Sequence, residues 1–388
     1  MKMRIGIDGR KLSENKTGIG NYLENILEEI LNLDQENEYV IFTDKPVNKE
    51  FENRNVNYVV INNFKSIIPI TQIYRPIWLN ILLMKHLKNI DVFWGPDFLS
   101  PLGFSGKKTL ITIHDLAFID VNEHHSKFHA MYFKTFLKFN LRKAPNVLTV
   151  SQYSKKRILE HYPEVSAEKV NITYCSYNSK QFNIEFDTQY AEKIRTIHQL
   201  PRNYMLFVGT TTARKNLVNV VKSIAYLSEK NVDVLDLVVV GARGNGLKEL
   251  IKLVKELKID SKIHFLGYVN DCDIPYIYKL ADLFLFPSLY EGFGIPLLES
   301  MSTSTPIITS STTSLPEVAG DAAIIVDPYS YTEIGNAIEL VLDSSTLKEE
   351  LRAKMSTQIN KFSWQESAKQ FLKTLNSLKS ITNTGDFK

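Results

Sequence analysis

The feature that most constrains the fold is an alternation of short apolar segments with amphipathic helical segments. The first series begins with RIGID at residues 4–8 and continues through YVIFT, NYVVIN, DVFWG, TLITIHD and NVLTVS. In most of the intervals, apolar residues recur with the period of a helix, as in GIGNYLENILEEILNL at residues 18–33. Nearly continuous apolar strands that alternate with helices are typical of a parallel, doubly wound sheet.

The alternation starts again after a polar stretch at residues 178–193, with YMLFVGT, DLVVVG, KIHFLGYV, DLFLFPS, TPIITSS and AAIIVDP. We predict a linker between the two series near residues 178–200. A chain of 388 residues also exceeds what one ordinary core holds. We therefore predict an α/β protein whose two Rossmann-like, doubly wound parallel-sheet domains face each other across a cleft. The predicted domains are residues 1–185 and 186–363, followed at 364–388 by a helix that packs toward the first domain and a frayed tail.

Composition and charge exclude several classes of protein. The chain has 46 Lys and Arg against 43 Asp and Glu, a net charge of +3, so bulk charge gives no indication of nucleic-acid binding. Two distant cysteines without zinc-ligand spacing fit a reducing compartment. The first ten residues lack the apolar core of a signal peptide, and proline and polar residues interrupt the most apolar stretch, 66–84. We expect no transmembrane span and a cytoplasmic location.

The first candidate for ligand binding follows the strand that opens the second series. In open parallel sheets, ligands bind beyond the carboxyl ends of the strands. In FVGTTTARKN, Gly209 ends a strand, and Arg214 and Lys215 precede a helix that begins near Asn216. Two cations beside a helix N-terminus would hold a diphosphate. The alternative is a pair of solvated surface charges.

Two further candidates lie at strand ends of the first series. In TGIGNY, Gly18 and Gly20 would let backbone amides approach a phosphate or a sugar, or would simply open a helix. In TIHDLAF, His114 would orient a sugar hydroxyl or stabilise a transition state, or would be an ordinary packed histidine. No G-x-S-x-G element is present, so nothing indicates a serine triad.

The stretch EGFGIPLLE places two acids, Glu291 and Glu299, eight positions apart. We expect Glu291 in a loop and Glu299 about two turns into the following helix, a span of roughly 12 Å at the helical rise. Each carboxylate would accept hydrogen bonds from a pair of hydroxyls, and the amides of Gly292, Phe293 and Gly294 would face a diphosphate between them. The alternative is one capping and one solvent-facing glutamate.

The tripeptide DCD at residues 271–273 has the Asp-x-Asp spacing of many metal-dependent sugar transferases. It lies between a predicted strand and a predicted helix, where aspartates commonly cap the helix. We predict capping aspartates and no metal site.

These residues together resemble a known family. FPSLYEGFGIPLLESMSTSTPIITSSTTSLPEVAGDAAIIVDP at residues 286–328 is similar to the donor-binding region of the retaining glycosyltransferases of family four, which have the GT-B fold. GTTTARKN, TIHDLAF, TVSQYSKKRI and TGIGNY match other blocks of that family in the same order. The chain departs from the family at TSTP, where Ser304 stands at a glycine position, and at CSYN, where many members have Gly-Val-Asp.

The resemblance implies transfer of a hexose from a nucleotide diphosphate sugar, with retained configuration and without a metal or other cofactor. Arg214 and Lys215 would neutralise the leaving diphosphate, Glu299 would bind the ribose, and Glu291 the hydroxyls of the donor sugar. The implied catalytic set is His114, Glu291, Arg214 and Lys215. The implied donor-binding set is Gly18, Gly20, Gly209, Arg214, Lys215, Tyr268, Val269, Glu291, Gly292, Phe293, Gly294, Ile295 and Glu299.

Donor, acceptor and membrane contact are further expectations. GIGNY together with HDLAF is most similar to mannosyl-type members, which favours GDP-mannose as donor and a lipid-linked or oligosaccharide acceptor in surface-polysaccharide biosynthesis of O-antigen type. HHSKFHAMYFKTFLKFNLRK places Lys127, Lys134, Lys138 and Arg142 near one helical face. That face would contact the inner side of the plasma membrane, or the helix would simply pack on the sheet.

Other functions remain open at this point. An epimerase of nucleotide sugars or a phosphorylase would have the same architecture, although no block matches the cofactor lysine of a phosphorylase. A catalytically silent protein that binds nucleotide sugars is the alternative outside the enzymes.

Overall fold

The computed structural model describes residues 2–13, 18–47, 50–61, 74–75, 77–105, 108–121, 127–183 and 185–383. The chain divides into two compact units. Unit one comprises residues 1–175 and 363–388, and unit two comprises residues 176–362. The boundary predicted after residue 185 therefore lies inside unit two, which begins at Ser176 and ends at Phe362.

Seven parallel strands form the sheet of unit one, in the order β3-β2-β1-β4-β5-β6-β7. Their bounds are β1 Arg4–Asp8, β2 Glu38–Thr43, β3 Val56–Val60, β4 Val92–Gly95, β5 Thr109–Ile113, β6 Asn146–Thr149 and β7 Val170–Ile172. The first six are the apolar segments of the first series, as predicted. Strands β4 and β5 are buried along their whole length, whereas β3 at the edge is only partly buried. Burial on both faces explains why the central strands are almost entirely apolar.

Helices connect these strands as the sequence periodicity predicts. Among the described residues of unit one before residue 175, the helices are α1 Gly18–Leu33, α2 Ala117–Asp120, α3 Lys127–Lys143 and α4 Gln152–His161. Short 3₁₀ turns cover Arg10–Leu12, Leu83–His86 and Ala167–Lys169, and one π-helical turn covers Trp78–Leu82. The buried face of α1 includes Tyr22, Leu23, Ile26, Leu27, Ile30 and Leu31, which recur at helical spacing.

Six parallel strands form the sheet of unit two, in the order β10-β9-β8-β11-β12-β13. Their bounds are β8 Tyr204–Val208, β9 Asp236–Val240, β10 Ile263–Gly267, β11 Leu283–Phe286, β12 Ile307–Ser310 and β13 Ile324–Val326. All six coincide with the second series of apolar segments, so the prediction of two doubly wound sheets is confirmed. The order reverses direction between β8 and β11, where ligands of such sheets bind.

Unit two contains more helix than its sequence predicts. Its helices are α5 Ser179–Phe182, α6 Thr188–Ile197, α7 Leu217–Glu229, α8 Leu247–Glu256, α9 Ile274–Leu280, α10 Ile295–Ser302, α11 Leu315–Ala319, α12 Tyr331–Asp343 and α13 Ser345–Ile359. Three 3₁₀ turns cover Ala213–Lys215, Asp260–Lys262 and Gly320–Ala322. The polar stretch predicted as a linker thus holds α5 and α6. Asn178 accepts a hydrogen bond from the amide of Lys180, and Asp187 accepts from the amides of Gln189 and Tyr190, so both cap the first turn of a helix.

The last helix belongs to unit one. Helix α14 (Trp364–Asn383) packs on α1, and its side chains Trp364, Phe371 and Leu375 are buried. The ring of Phe371 lies 4.5 Å from that of Trp94 in β4. The helix therefore covers one face of the first sheet.

The apolar stretch at residues 66–84 lies partly outside the described residues, which exclude 62–73 and 76. Within it, Trp78, Leu79 and Leu83 belong to the hydrophobic core of unit one. Among the helices of the described part of the chain, none combines the length and apolar character that crossing a membrane requires.

A buried ion pair follows β1. Arg10 donates from Nε to Oδ1 of Asp8 at 2.8 Å and from Nη2 to Oδ2 at 2.6 Å. Its guanidinium also lies 4.2 Å from the ring centroid of Trp78. Burial by itself would raise the pKa of Asp8, but the charge and hydrogen bonds of Arg10, with the charge of Arg75, lower it. The pair fixes the turn at the carboxyl end of the central strand.

We expect Asp8→Asn to destabilise unit one by about 3 kcal/mol, because Arg10 is then left as a buried charge without its partner. The three tryptophans, Trp78, Trp94 and Trp364, all lie in unit one, so tryptophan fluorescence during denaturation reports this unit alone. The control is Lys156→Gln, which breaks an exposed pair with Glu160 and is expected to change the free energy of unfolding by less than about 1 kcal/mol. Equal effects of the two variants would contradict the prediction.

Candidate functional site

The predicted site residues of unit two lie at the carboxyl edge of its sheet. Gly209 follows β8, Tyr268 and Val269 follow β10, and Glu291 lies in the loop after β11. Strands β8 and β11 are direct neighbours, which brings the turn at Arg214 and Lys215 next to the loop at Glu291.

Arg214, Lys215 and Glu291 form one charged cluster. Lys215 Nζ donates to Oε1 of Glu291 at 2.7 Å, and Arg214 Nη1 lies 3.6 Å from Oε2 of the same carboxylate. Arg214 Nη1 also donates to the carbonyl oxygen of Tyr290 at 2.9 Å, and Lys215 Nζ lies 4.9 Å from the ring centroid of Phe286. Two cations against one carboxylate leave one net positive charge at the edge of the sheet.

The protonation state of Glu291 follows from this cluster. Its side chain is buried, with 8% of the residue exposed. Burial alone would raise the pKa of Glu291, but the charges of Lys215 and Arg214 and the hydrogen bond from Lys215 lower it. Glu291 is therefore ionised at neutral pH and accepts hydrogen bonds only.

The turn that carries the two cations is fixed by Asn216. This residue adopts a left-handed conformation with φ of 62°, which asparagine tolerates better than most residues. Its buried side-chain amide donates to the carbonyl oxygens of Pro287 at 2.9 Å and Pro328 at 2.6 Å. Helix α7 begins at the next residue, Leu217, one position later than predicted. Asn216 thus ties the cationic turn to the loop after β11.

The loop between Glu291 and α10 is fixed by a neighbouring segment. Ser314 Oγ donates to the carbonyl oxygens of Glu291 at 3.0 Å and Phe293 at 2.7 Å, and Thr313 Oγ1 accepts from the amide of Glu291 at 3.2 Å. Gly294 has φ of 120°, and a Cβ there would lie 2.7 Å from Leu315. The position therefore requires glycine, and α10 begins directly after it, at Ile295.

Glu299 has a different environment from Glu291. It is the fifth residue of α10, so it lies about one turn into the helix and not two as predicted. Its Oε2 accepts a hydrogen bond from the hydroxyl of Tyr278 at 2.9 Å. The pKa of Glu299 is raised to about 7, with burial as the main cause. The charge of Asp271 also raises the pKa, and the hydrogen bond from Tyr278 opposes this shift. The two acids thus have opposite pKa shifts.

Asp273, the last residue of DCD, does not cap α9 through its side chain. Asp273 occupies the N-cap position but accepts hydrogen bonds from the hydroxyl of Tyr190 at 2.8 Å and from His198 Nε2 at 2.9 Å. The capping prediction is wrong for this residue, because two groups of the α6 segment satisfy its carboxylate. Within the described ranges, no group of three or more His, Cys, Asp or Glu side chains is arranged to hold a metal ion.

Three other residues of the predicted donor site differ in how far their side chains are exposed to solvent. The side chain of Tyr268 is 72% exposed, whereas Val269 is buried. Phe293 is buried with its ring 5.4 Å from that of Phe362. The side chain of Phe293 is therefore turned into the protein, and only the backbone of this residue is suited to face a ligand.

The predicted residues of unit one lie at the carboxyl edge of the first sheet. His114 directly follows β5, and its Nε2 lies 2.8 Å from the carbonyl oxygen of Pro96. Burial lowers the pKa of His114, while the charges of Asp97 and Asp115 and the hydrogen bond to Pro96 oppose this shift. Gly18 and Gly20 are the first and third residues of α1, and Thr17 lies outside the described residues.

Sequence reasoning missed the residues that support the site. Tyr278, Asn216, Thr313 and Ser314 bind site residues or site backbone, yet none was predicted. Thr313 and Ser314 belong to the segment TTSLPE, which the sequence marks only as part of the family resemblance. Small polar residues in such a segment give no signal until the fold places them beside Glu291.

Comparisons with known proteins bear on the family and the fold of the chain. The family model "Glycosyltransferase Family 4" matches residues 16–181, and "Glycosyl transferases group 1" matches residues 191–362. The chain is 32% identical over 291 residues to O-antigen chain mannosyltransferase B of Escherichia coli, covering 74% of each protein. It is 31% identical over 218 residues to O-antigen chain mannosyltransferase RfbU of Salmonella typhimurium, covering 56% of each.

Among solved structures, sucrose-phosphate synthase from Thermosynechococcus elongatus superposes with a TM-score of 0.79. The match covers 98% of this chain and 100% of the other, at 17% sequence identity. At this identity the likeness concerns the fold alone.

We expect the carboxyl group of Glu299 to titrate near pH 7, and to titrate at higher pH in Tyr278→Phe, because the variant removes a hydrogen bond that favours the ionised form. The measurement is a ¹³C NMR titration of glutamate side-chain carboxyls, with the signal assigned by its loss in Glu299→Gln. A Glu299 signal that titrates below pH 5, or one that Tyr278→Phe moves to lower pH, would show that the hydrogen bond and burial do not control this group.

Proposed function

The chain belongs to glycosyltransferase family 4 and has the GT-B fold, and on that premise we propose a specific reaction. It transfers a mannosyl residue from a nucleotide diphosphate sugar, GDP-mannose in our proposal, to a lipid-linked or oligosaccharide acceptor. The anomeric configuration is retained, and no metal ion is required. The product belongs to a surface polysaccharide of O-antigen type, and the enzyme works in the cytoplasm.

The observation that supports this proposal best is the cluster of Arg214, Lys215 and Glu291. The leaving diphosphate of a nucleotide sugar is an anion, and two cations that already lie together at a strand end are placed to receive it. Glu291 keeps both cations in position before the ligand arrives. Its ionised carboxylate can then accept hydrogen bonds from hydroxyls of the donor sugar.

Glu299 supports the ribose end of the same ligand. Tyr278 donates to Oε2 of Glu299, and within the described part of the chain no hydrogen bond to Oε1 is found, so Oε1 can act as a second acceptor. A pair of ribose hydroxyls is the matching donor set, because two vicinal hydroxyls can both donate to one carboxylate. Glu299 in this role contributes to binding of the nucleotide and not to the chemical step.

The chemistry breaks the bond between the anomeric carbon and the leaving phosphate oxygen, and forms a bond from that carbon to an acceptor hydroxyl oxygen. The acceptor proton passes to the leaving phosphate oxygen on the same face of the sugar, so the configuration is retained. Positive charge develops at the anomeric carbon and negative charge on the phosphate. Arg214 and Lys215 stabilise the negative charge, which lowers the barrier.

A mechanism with two catalytic carboxylates fits less well. Glu291 is bound to Lys215, and Glu299 is bound to Tyr278 on the following helix, so both acids serve recognition. Metal-independent transfer is proposed because Arg214 and Lys215 can supply the charge that a metal would supply. The carboxylate of Asp273, the last acid of DCD, is already bound by Tyr190 and His198.

Mannose is proposed because the two relatives described above are named as O-antigen chain mannosyltransferases, one of them matching 74% of this chain. GDP is proposed as the carrier because the GIGNY and HDLAF blocks of this sequence resemble those of mannosyl-type members.

We expect GDP and GDP-mannose to stabilise the protein in a thermal-shift panel of nucleotide diphosphates and their sugars, with and without chelator. A ligand present at 100 times its Kd adds about 2.7 kcal/mol to stability. Transfer of labelled mannose should fall about 100-fold or more in Lys215→Ala, because the charge on the leaving group is then unbalanced. The control is Lys252→Ala, which removes an exposed lysine of the same unit and should leave transfer unchanged.

Other outcomes would replace parts of the proposal. A shift with another nucleotide would change the donor, and a shift that chelator abolishes would reject metal independence. Conversion of the free donor into its epimer without acceptor would favour an epimerase. Donor binding without turnover would favour a silent binding protein. Transfer that survives both Lys215→Ala and Glu291→Ala would remove these residues from the active site.

The exposed face of α3 supports a peripheral membrane contact in this function. Lys134, Lys138 and Arg142 are exposed, as is Met131, whereas Leu137 on the other face is fully buried. Lys138 and Arg142 lie 3.8 Å and 3.5 Å from Glu164, which offsets part of their charge. We propose that this face binds anionic lipid at the inner side of the plasma membrane, where a lipid-linked acceptor would be located.

We expect the protein to sediment with phosphatidylglycerol vesicles and not with phosphatidylcholine vesicles. The double variant Lys134→Glu with Lys138→Glu should reduce binding at least tenfold, since each basic residue near such a surface contributes about 1 kcal/mol. Lys252→Glu on unit two is the matched control. Equal binding of the double variant and the control would reject α3 as the membrane face.

A further inference from the structure

We propose that Tyr22 and the turn Gly95–Leu99 are positioning residues for His114. Together they hold the imidazole with its proton on Nε2 and leave Nδ1 to accept a hydrogen bond from a substrate hydroxyl. This inference rests on the proposed function, because it deepens the part that His114 has in sugar transfer. All groups involved belong to unit one.

The hydrogen bond of His114 Nε2 determines the tautomer. Its partner at 2.8 Å is the backbone carbonyl oxygen of Pro96, which can only accept. Nε2 must therefore carry a proton. In a neutral ring the proton on Nε2 leaves a lone pair on Nδ1. Among the described residues, no protein group is hydrogen-bonded to Nδ1, so this atom is available to a ligand.

Tyr22 limits the movement of the imidazole ring. The two ring centroids are 4.7 Å apart, and the planes are nearly perpendicular at 87°. Tyr22 is itself fully buried, and its hydroxyl is hydrogen-bonded to Thr173 Oγ1 at 3.0 Å. The ring centroid of Trp364 in α14 lies 5.7 Å from that of Tyr22. Because Tyr22 is held at both its ring and its hydroxyl, it acts as a rigid wall beside His114.

The turn after β4 places the carbonyl of Pro96. A Cβ on Gly95 would lie 2.0 Å from the carbonyl oxygen of Leu99, so the chain closes this turn only with glycine at that position. Phe98 has φ of 41°, which costs energy for a bulky residue. A backbone conformation of this kind is kept only where the surrounding contacts are strong enough to offset its energetic cost.

Arg75 supplies those contacts. Its Nη2 lies 2.7 Å from Oδ2 of Asp97 and donates to the carbonyl oxygen of Asp97 at 3.1 Å. The guanidinium also lies 5.5 Å from the ring centroid of Phe98. The strained turn is therefore braced, and its Pro96 carbonyl is aimed at one position. A His114 ring that rotated by half a turn about its Cβ–Cγ bond would place Cε1 where Nε2 now lies and Cδ2 where Nδ1 now lies. It would lose the hydrogen bond to Pro96 and present a C–H group in place of the Nδ1 acceptor.

The charged groups that face His114 from its surroundings are Asp97 on the turn and Asp115 on its own segment. Both favour the protonated imidazole, while burial opposes it, and the net result is a lowered pKa. The ring is thus neutral over the working pH range. Above neutral pH, Nδ1 of His114 therefore stays a hydrogen-bond acceptor that points in one direction.

The first test uses the wild-type protein without substrate. Long-range ¹H–¹⁵N correlation spectra of histidine-labelled protein distinguish the two neutral tautomers from the imidazolium. The chain has eight histidines, and the His114 signals are assigned by their loss in His114→Gln. We expect the Nε2–H tautomer at pH 7 and pH 8. A predominant Nδ1–H tautomer, or a protonated ring at pH 7, would overturn the proposal.

The second test separates positioning from general stability. We expect Tyr22→Leu to lower kcat about tenfold with KM for the donor within twofold, and to produce a mixture of His114 tautomers. Tyr22→Phe keeps the ring wall and should restore both the single tautomer and most of kcat. A loss of kcat in Tyr22→Leu with an unchanged tautomer would overturn the role of Tyr22, as would equal kinetics for the two variants.

These readouts distinguish failure of this inference from failure of the proposed function. The spectra require no donor or acceptor, so they determine the tautomer even if transfer of mannose is not found. Transfer with a normal rate together with the wrong tautomer would retain the proposed function and reject the positioning role.

Discussion

The hydrogen-bonded ion pair between Lys215 and Glu291 is the interaction on which the candidate site depends. The pair joins the turn after β8 to the loop after β11, at the point where the strand order of the second sheet reverses. Burying two charges is unfavourable unless they are paired and hydrogen-bonded. The contacts that fix the surrounding backbone therefore serve to keep the two side chains of this pair together. The pair itself is neutral, and Arg214, 3.6 Å from Oε2 of Glu291, adds the second cation that gives this cluster one net positive charge.

The groups around the pair are fixed mainly by side chain-to-backbone hydrogen bonds. Asn216 holds the cationic turn through two proline carbonyls, and Ser314 holds the loop of Glu291 through two more carbonyls. These bonds hold the groups of the site in place without a ligand. Preorganised groups of this kind stabilise developing charge without the cost of reorientation.

The fold could be predicted from the sequence because its signal is distributed over many residues. Twelve apolar segments in two series coincide with strands, and both sheets are parallel as their composition indicates. The identity of the charged site residues could also be proposed, since Arg214, Lys215 and Glu291 stand directly after predicted strands. Their assigned roles stay predictions. What the structure adds is their pairing, which depends on the β8–β11 neighbour relation that linear sequence does not state.

Errors arose where a local pattern had two physical solutions. The polar stretch at residues 178–193 was interpreted as a linker, but Asn178 and Asp187 use their polarity to start helices. Asp273 stands at a capping position, yet its carboxylate binds Tyr190 and His198 from a helix that the sequence did not predict. The supporting residues were missed for the same reason. Tyr278 and Ser314 acquire their function only through the tertiary neighbours that the fold supplies.

The opposite pKa shifts of Glu291 and Glu299 have a consequence for how such a site would bind a nucleotide sugar. Glu291 is kept ionised by Lys215, so its capacity to accept hydrogen bonds does not vary near neutral pH. Glu299, with a pKa of about 7, exchanges a proton in that range. A diol that donates to Glu299 favours the ionised form, so nucleotide binding and proton release are linked. If Glu299 binds the ribose as we propose, this contact is the same in the ground state and the transition state. On that proposal, pH acting through Glu299 would change donor affinity and would leave the rate of the chemical step to the cluster at Glu291.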